Sequence, residues 1–409
     1  MSRPLIPRLF GLCLLCTHAA APAAEPELDI SRCLPELRQQ AQAAGLPSAR
    51  FDALIAGIKA DVSVLERLDA QPEFVTPIWD YLAALVDEER VAEGRERLRE
   101  HAALLTRIES EYGVDPAAVV AVWGVESNYG EDSGGRVLQS SLLALSCAGR
   151  RQRFFRSELI ALLKLIDAGD LQPTTEAPLR GSWAGAFGQT QFMPSTYARI
   201  AVDFDGDSRR DLIGSIADAL ASTAHYLQRS GWRSGQSWGF EVTVPASFAS
   251  SNGRKATQSL SGWSQRGLRR VDGGDLITAA NPADRRAGLL LPAGRQGPAF
   301  LVLRNFEAFY SYNAAESYAL AIAHLADRLR GGGGFVQAWP TDDPGLSRAE
   351  RRELQTLLLA RGHDIGDVDG RLGVRSREAI KAEQLALGGQ ADGRAGQKLL
   401  ERLRMTHSN

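Results

Sequence analysis

The sequence has 409 residues, of which 44% are hydrophobic and 23% charged, and it contains 40 Gly, 18 Pro and only 4 Cys. This composition is typical of globular proteins and excludes the collagen-like and disulfide-scaffold classes. The 47 basic side chains nearly balance the 49 acidic ones, for a formal charge of -2, so no overall positive field attracts nucleic acid and no such partner is expected. At roughly 150 residues per domain, the length predicts two or three domains.

The first 24 residues have the pattern of a secretory signal peptide. Arg3 and Arg8 precede an apolar run at 9–16, and a stretch of small residues occupies 19–24. Basic, apolar and small segments in this order are typical of cleaved export signals. We therefore expect residues 1–24 to be removed and the protein to be periplasmic. No later stretch reaches the ~20 apolar residues of a spanning helix, so no membrane span is expected.

The four cysteines fall into two pairs. Lipid attachment to Cys13 or Cys16 is not expected, since leucine rather than a small residue precedes each of them. Removal of the signal peptide leaves Cys33 and Cys147, which an oxidising compartment permits to form a disulfide. Two buried thiols are an equally open alternative, because the sequence does not give the distance between these residues.

Residues 25–330 have mainly helical periodicity and are expected to form one domain. Asp115 and Pro116 form a clear start signal, an N-cap followed by proline at the first helical position. A helix is also predicted over 29–44, another after its cap Ser48, and one long or two shorter helices over 80–111. Capping boxes predict two more: one begins at Ser215 and Asp218 and ends at Gly231, and the other, 314–330, is capped by Asn313 and Glu316.

Three short segments interrupt this helical pattern. Phe240–Val244, Leu289–Leu291 and Ala299–Leu303 are apolar or β-branched and are bounded by Gly and Pro, which predicts strands. The fold class expected is therefore α+β, predominantly α, with a small β insertion.

A second unit follows a linker. Four consecutive glycines and two prolines mark residues 331–345 as the linker. Residues 346–405 then begin with a capping box formed by Ser347 and Glu350. Two similar turns, Asp369–Gly373 and Asp392–Gly396, follow within this unit, which is expected to be a small helical domain.

Glu126 is the strongest candidate for chemistry. It is the only carboxylate in an otherwise apolar segment, 119–130, and lies near the helix end that Gly130 is expected to close. Desolvation and the negative pole of the helix would both raise its pKa and keep it protonated, as a general acid requires. An exposed, ionised Glu on the last helical turn is the alternative. The six His and two mature Cys show no spacing typical of a zinc site or a thiol nucleophile.

A second segment, Gly181–Tyr197, combines small and polar residues with aromatic ones. Its glycines permit close backbone approach, while Ser182, Gln191 and Tyr197 offer hydroxyl and amide groups beside aromatic rings. These are properties of a sugar-binding groove. A tight structural turn would have a similar composition.

Together these segments resemble the lytic murein transglycosylases of the membrane-bound B type, glycoside hydrolase family 103. The matching stretches are Gly124–Gly130, Gly181–Tyr197, Asp203–Asp211 with Ala219–Ser222, and Tyr312–Asn313. The resemblance implies a lysozyme-like catalytic domain in which Glu126 is the single acid/base. It also implies two sets of groove residues: Ser182, Gln191, Tyr226, Tyr312, Asn313 and Tyr318 against the glycan, and the basic pair Arg150 and Arg151 with Phe154 against glycan or peptide stem.

The resemblance implies cleavage of the β-1,4 bond between MurNAc and GlcNAc with formation of 1,6-anhydro ends. Ordinary retaining and inverting glycosidases need two carboxyl groups at set separations. Glu131 and Asp132 follow the Glu126 helix without a recognisable nucleophile setting. The alternatives are a hydrolysing muramidase and a catalytically silent wall-binding protein.

The loop 203–211 has the alternating acidic residues of the first part of a calcium loop, at Asp203, Asp205, Asp207 and Asp211. Ser208 stands where a full EF-hand loop has Gly, and Gly214 where it has the bidentate Glu. Asp218 is a substitute ligand after a longer turn. A solvated Asp-Gly turn is the open alternative. No cofactor is required for activity, and a calcium ion would be structural.

The C-terminal unit resembles the three-helix peptidoglycan-binding domain. The matching residues are Leu354–Gln355, Leu358, Gly362, Asp369–Gly370, Gly373, Ala379–Ile380, Gln384 and Asp392–Gly393. Glu383 departs from the pattern, which usually has an aromatic residue there. The expected partner is peptidoglycan; complexes with other cell-wall enzymes are compatible with the sequence but not specified by it.

Overall fold

The structure, a computed structural model, describes residues 28–69, 71–248 and 253–407. The predicted signal peptide, with Cys13 and Cys16, lies outside these residues. No helix in the described ranges is long and apolar enough to cross a membrane.

The molecule is mainly helical. The helices in chain order are α1 (Leu34–Ala43), α2 (Ser48–Ile55), α3 (Pro72–Val75), α4 (Ile78–Leu85), α5 (Glu88–Glu100), α6 (Ala102–Tyr112), α7 (Pro116–Ser127), α8 (Leu138–Cys147), α9 (Gln152–Asp167), α10 (Pro194–Ile200), α11 (Ile216–Arg229), α12 (Leu260–Gln265), α13 (Arg304–Asn313), α14 (Glu316–Leu329), α15 (Arg348–Ala360), α16 (Val374–Ala386) and α17 (Gln397–His407), with a 3₁₀ segment at Val62–Asp69. The strands are β1 (Arg136–Val137), β2 (Arg180–Gly181), β3 (Gly239–Thr243), β4 (Gly253–Ser259), β5 (Arg269–Arg270), β6 (Arg286–Leu290), β7 (Pro292–Arg295) and β8 (Ala299–Val302).

Helix α7 is the centre of the largest core. All of its residues from Ala117 to Gly124 are buried, and α5, α6, α11 and α14 pack around it. The predicted start is confirmed, since Asp115 Oδ1 accepts the Ala117 N–H at 2.7 Å and Pro116 occupies the first position. A helix that is apolar all round needs neighbours on every side, so α7 is held rigidly up to its last turn.

A second core joins α8 and α9 to the N-terminal helices and to the loop 181–197. Within it Cys33, just before α1, and Cys147, at the end of α8, form a disulfide with 5.5 Å between their Cα atoms. This bond closes a loop between residues 114 apart in sequence. The alternative of two buried thiols does not describe the structure.

The disulfide gives a direct expectation for the purified protein. Thiol titration of the mature chain, denatured without a reductant, should find no free thiol on Cys33 or Cys147. The same protein after reduction serves as the positive control and should show two. Two reactive thiols before reduction would contradict the pairing.

The β insertion is larger than the three predicted strands. Its five strands are antiparallel in the order β4-β6-β8-β3-β5, over a core that includes Phe240, Trp263 and Leu301. The edge strand β4 was not predicted because its residues, GRKATQS, lack apolar alternation. Backbone pairing with β6, rather than burial, places it in the sheet.

Several predicted helix boundaries are wrong. The first helix begins at Leu34 rather than Asp29, and the segment 80–111 belongs to three helices, of which α5 begins after the N-cap Asp87. Asn313 does not cap a helix: it ends α13, Ala314 adopts a left-handed φ of 50°, and Ala315 precedes α14. A capping residue followed three positions later by Glu predicts a helix start, but this pattern does not show whether the capping residue already belongs to the preceding helix.

Of two other predicted capping boxes, one is partly formed and the other is complete. Ser215 accepts the Asp218 N–H at 3.3 Å, but the Asp218 side chain binds elsewhere instead of completing the box. The box of Ser347 and Glu350 at the start of α15 is complete.

Helices α15, α16 and α17 pack around a small core of their own. In each of the two Asp-Gly turns a glutamine from the preceding helix accepts a glycine N–H: Gln355 from Gly370 at 2.6 Å, and Gln384 from Gly393 at 2.9 Å. The two turns are therefore built alike. Glu383, the departure from the family pattern, is buried and bonded to His363 at 2.7 Å.

Candidate active site

The helix that carries Glu126 ends in an unusual turn. Gly130 was expected to close the helix, but Asn128 does so, with φ at 51°. Tyr129 and Gly130 follow with φ of 58° and 92°. Non-glycine residues rarely adopt this left-handed conformation, so the surrounding structure must hold the turn in place.

Buried packing around Tyr129 supplies part of that support. Its hydroxyl donates to the Arg90 carbonyl oxygen at 2.8 Å. A Cβ atom added at Gly124 would lie 2.7 Å from the Tyr129 ring, and one at Gly94 would lie 2.2 Å from its hydroxyl. Only glycine fits at these two positions, because the ring is in contact with the backbone of both α5 and α7.

The Glu126 carboxyl is half-buried, and the Tyr318 hydroxyl donates to its Oε1 atom. Burial raises the pKa of Glu126 to about 8, although the Tyr318 hydrogen bond acts in the opposite direction. Burial also holds the pKa of Tyr318 well above its usual value, so this phenol keeps its proton and remains a donor. Glu126 is therefore not exposed, as the alternative interpretation required, and its burial favours the protonated form.

Glu73 is a neighbour that the sequence did not reveal. Its charge adds to the upward shift of the Glu126 pKa. The short helix α3 carries it, and α14 anchors α3 because Ser317 Oγ donates to the Glu73 carbonyl oxygen at 2.7 Å. Asn313, a predicted groove residue, approaches Glu73 Oε1 at 3.4 Å and is itself exposed. A four-residue helix between prolines gives no periodic signal by which it could have been found.

Three predicted tyrosines lie together beside Glu126. The ring centroids of Tyr312 and Tyr318 are 6.3 Å apart, and those of Tyr226 and Tyr312 are 4.7 Å apart. Phe192 lies 6.0 Å from both Tyr226 and Tyr312. Backbone carbonyl oxygens accept the hydroxyls of Tyr226 (Ser311, 2.7 Å) and Tyr312 (Thr190, 2.7 Å). The tyrosines thus form a rigid aromatic wall, of which Tyr226 and Tyr312 are partly exposed and Tyr318 is buried behind them. Aromatic rings with an exposed face are common in ligand sites.

The polar side chains of the loop 181–197 support the loop itself. Ser182 Oγ accepts the Ala186 N–H at 3.0 Å, and Gln191 Nε2 donates to the carbonyl oxygens of Ser133 and Gly188 at 2.9 and 2.8 Å. Tyr197 is fully buried, so it does not line a groove as its sequence setting suggested. These contacts agree with the tight-turn interpretation, and the role of Ser182 and Gln191 in a glycan groove stays a prediction.

The same loop is tied to the end of α7. Ser127 Oγ donates to the Gln189 carbonyl oxygen and accepts the Gly130 N–H at 2.9 Å. The backbone around Glu126 and the loop 181–197 are consequently one structural unit.

The basic pair lies on a different part of the surface. Arg150 donates to the Leu68 carbonyl oxygen, and Arg151 lies over the Phe154 ring at 4.6 Å. Arg151 and Phe154 line an open depression of about 1170 Å³ between α1 and α9. None of the residues that line this depression is among those around Glu126.

The acidic loop forms a different group from the predicted one. Carboxylate oxygens of Asp203, Asp205 and Asp218 lie within 4.8 Å of one another, whereas Asp207 and Asp211 are outside this group. Asp218 is fully buried and accepts the N–H groups of Phe204 and Asp211, each at 2.7 Å. Of the predicted ligands Asp203, Asp205, Asp207 and Asp211, only the first two belong to this group, and Asp218, the substitute that the sequence suggested, is its third member. Calcium binding here stays a prediction.

The fold and the site together define a lysozyme-like protein: a helical domain with a half-buried carboxyl, that of Glu126, beside an aromatic wall. Comparison with known proteins agrees. Residues 29–327 match the transglycosylase SLT domain and residues 347–403 the putative peptidoglycan binding domain. The chain belongs to the transglycosylase SLT domain family, which confirms the resemblance found in the sequence.

Individual relatives support this assignment. SltB3 from Pseudomonas aeruginosa, solved in complex with NAG-NAM-pentapeptide, has 47% identity and a TM-score of 0.71, over 91% of this chain and 99% of that one. Slt35 of Escherichia coli, solved with calcium, has 27% identity and a TM-score of 0.63, over 74% and 94%. The curated membrane-bound lytic murein transglycosylase B of E. coli is 33% identical over 232 residues, 55% of this chain and 60% of its own length. The match thus spans less than two thirds of that curated relative.

Proposed function

We propose that the protein is a periplasmic lytic transglycosylase that cleaves the β-1,4 bond between MurNAc and GlcNAc in peptidoglycan. The observation that carries this proposal is the Glu126 carboxyl, which a pKa of about 8 keeps protonated at neutral pH, next to the wall of Tyr226, Tyr312 and Tyr318. Family membership and the solved relatives support the same activity.

In the first half of the reaction Glu126 acts as general acid. It donates its proton to the glycosidic oxygen as the bond between that oxygen and C1 of MurNAc breaks. The neighbouring N-acetyl oxygen stabilises the positive charge that develops at C1, a substrate-assisted route that needs no second carboxylate. The Tyr318 hydroxyl fixes the position of Glu126 Oε1 and stabilises the carboxylate after the proton has left.

In the second half Glu126 acts as general base. The ionised carboxylate removes the proton of the MurNAc O6 hydroxyl, and O6 attacks C1 to close the 1,6-anhydro ring. Glu126 recovers its proton and no water is consumed.

Glu73 accepts from Asn313 Nδ2 at 3.4 Å. The two carboxylates that follow Glu126 in the sequence are also engaged elsewhere. Glu131 accepts from Asn128 Nδ2 at 2.5 Å, and Asp132 forms an ion pair with Arg371 at 2.6 Å. Neither is arranged as a nucleophile, which favours the single-carboxyl route.

Digestion of purified sacculi, followed by mass analysis of the released muropeptides, tests the proposal. We expect products with 1,6-anhydro-MurNAc ends, each 18 Da lighter than the corresponding hydrolysis product because water is lost. Reducing ends would indicate a muramidase instead. An undigested sacculus that still retains the protein would indicate a wall-binding protein without activity.

The C-terminal domain is proposed to bind the same polymer. Its match to the putative peptidoglycan binding domain supports this role. A second contact with one insoluble substrate raises the local concentration of cleavable bonds around Glu126 without adding chemistry. Glycan strands are thus the partner of both domains.

A structural calcium ion is proposed at Asp203, Asp205 and Asp218. Carboxylate oxygens are the ligands that calcium prefers, and three of them converge here, one from a fully buried side chain. Binding to the folded state alone would stabilise it by mass action. Calcium added to chelator-treated protein should therefore raise the melting temperature by several degrees. The Asp218→Asn variant should lose this response, and an unchanged melting temperature of the wild type would exclude the ion.

A further inference from the structure

The C-terminal domain is in direct contact with the domain that carries Glu126. Arg394 forms a two-pronged ion pair with the buried Asp80, at 2.7 and 2.8 Å, and Arg352 pairs with Glu89 at 2.8 Å. A Cβ atom added at Gly345 would lie 2.6 Å from the Asp80 Cα atom. Backbone contact at Gly345 and the Arg394 ion pair with the buried Asp80 fix one domain against the other, whereas the Arg352–Glu89 pair is exposed.

One of these contacts reaches the turn after the catalytic helix. Arg348, the first residue of α15, donates from Nη1 to Asn128 Oδ1 at 2.5 Å. Asn128 is the left-handed residue that ends α7, two positions beyond Glu126. The Arg348 side chain is only 14% exposed, and its other nitrogens lie 3.3 Å from Asp87 and Glu93.

Asp87 makes this arrangement rigid. Its Oδ1 atom accepts the Arg90 N–H at the start of α5, and its Oδ2 atom accepts the Arg348 N–H at the start of α15. One buried carboxylate therefore caps a helix in each domain, which is favourable because the amino ends of both helices carry partial positive charge. The Arg348 guanidinium is held at a fixed position from which it binds Asn128.

We propose that Arg348, a residue of the wall-binding domain, positions Glu126 by holding Asn128 in its left-handed conformation. The other bond of the Asn128 side chain goes to the exposed Glu131, three residues further along the same turn, and so does not fix the turn against the rest of the protein. On this view the C-terminal domain is part of the catalytic apparatus, not only an anchor to the wall. The inference rests on the proposed function, and Arg348 is a positioning residue that does not touch the substrate.

A short soluble substrate distinguishes an effect of Arg348 on the position of Glu126 from an effect on attachment of the protein to the wall. We would measure kcat and KM of the full-length protein on a soluble GlcNAc–MurNAc tetrasaccharide, which gains nothing from attachment to an insoluble wall. Arg348→Ala should lower kcat by about tenfold or more, because small displacements of a catalytic group are costly, while KM and retention on sacculi stay unchanged. Arg352→Ala removes a neighbouring interdomain ion pair and is the matched control, with kcat within twofold of the wild type.

Arg348→Ala leaves the buried Asp87 carboxylate without its partner charge, which destabilises the fold. A second variant is needed to distinguish a loss of kcat from a loss of stability. Arg348→Lys keeps a positive charge near Asp87 and Glu93, but a single ammonium group cannot span from Asp87 to Asn128. We expect its melting temperature to stay near that of the wild type and its kcat to fall nonetheless. A normal kcat in this variant would overturn the proposal.

A double-mutant cycle tests whether the effect passes through Asn128. Asn128→Gly permits the left-handed conformation but removes the side chain that Arg348 holds. If Arg348 acts through this side chain, adding Arg348→Ala to Asn128→Gly causes no further loss of kcat. Losses that multiply would show that the two residues act independently and would refute the mechanism.

Amide hydrogen exchange provides a measurement that does not depend on activity. Arg348→Ala should speed exchange in the segment 124–131, whereas Arg352→Ala should not. If exchange responds as expected but the wild type forms no anhydro products, the positioning contact stands and the proposed function fails. Unchanged exchange in an active enzyme would overturn the positioning role alone.

Discussion

Replacing Glu126 with Gln should lower the release of anhydro-muropeptides from sacculi by about 10³-fold, the scale on which a general acid–base group contributes. Gln has the same shape and still accepts the Tyr318 hydrogen bond, but it has no proton to donate to the glycosidic oxygen. The variant should bind sacculi as tightly as the wild type. Release of products and retention of protein on the pellet are measured in the same digest.

Glu111→Gln is a suitable control, since Glu111 is an exposed carboxylate on α6, outside the site. It should retain full activity. Near-normal activity of Glu126→Gln, with the control also active, would contradict the role of Glu126 as acid and base.

The same substitution should stabilise the fold at neutral pH. The carboxyl of Glu126 has a pKa near 4.5 when unfolded and about 8 when folded. Between these values the unfolded chain has lost the proton and the folded chain keeps it, so the free energy of unfolding falls as the pH rises. Gln is neutral throughout and escapes this loss, which amounts to about 3 kcal/mol at pH 7.

Urea denaturation at several pH values measures the effect. The stability advantage of Glu126→Gln over the wild type should be largest above pH 8, smaller at pH 6 and absent near pH 4, where the carboxyl is protonated in both states. Glu111→Gln should show no such trend. An advantage that does not vary with pH would show that the Glu126 pKa is not raised by folding.

The core elements could be predicted from sequence where local signals coincide with burial. Helix α7 has a cap, a proline and an apolar surface all round, and its predicted start at Asp115 is correct. Strand β4 was missed because its pairing with β6 places it in the sheet, which local residue types do not record. The predicted cap at Asn313 was wrong because this residue ends the preceding helix α13.

The residues of the candidate active site were likewise only partly predictable from the sequence. Glu126 could be identified because a single carboxylate stands out in an otherwise apolar helix. The tyrosines were identified from the family resemblance. Glu73 and Arg348 were not found, although both adjoin the site. Glu73 lies in a four-residue helix and Arg348 belongs to another domain, so only the three-dimensional arrangement brings them near Glu126. The sequence offered Asp218 only as a substitute in the acidic loop, and the three-dimensional arrangement places it beside Asp203 and Asp205.

The close packing around the Tyr129 ring restricts which substitutions related sequences can carry. Because the ring lies against Gly94 on one side and Gly124 on the other, no single one of these three positions is free to change in size alone. Related sequences should therefore covary here: a methyl group at 124 should occur only together with a smaller residue at 129, and one at 94 only when position 329 also changes. Libraries that randomise one position at a time would score all three as intolerant, whereas joint randomisation would recover functional combinations.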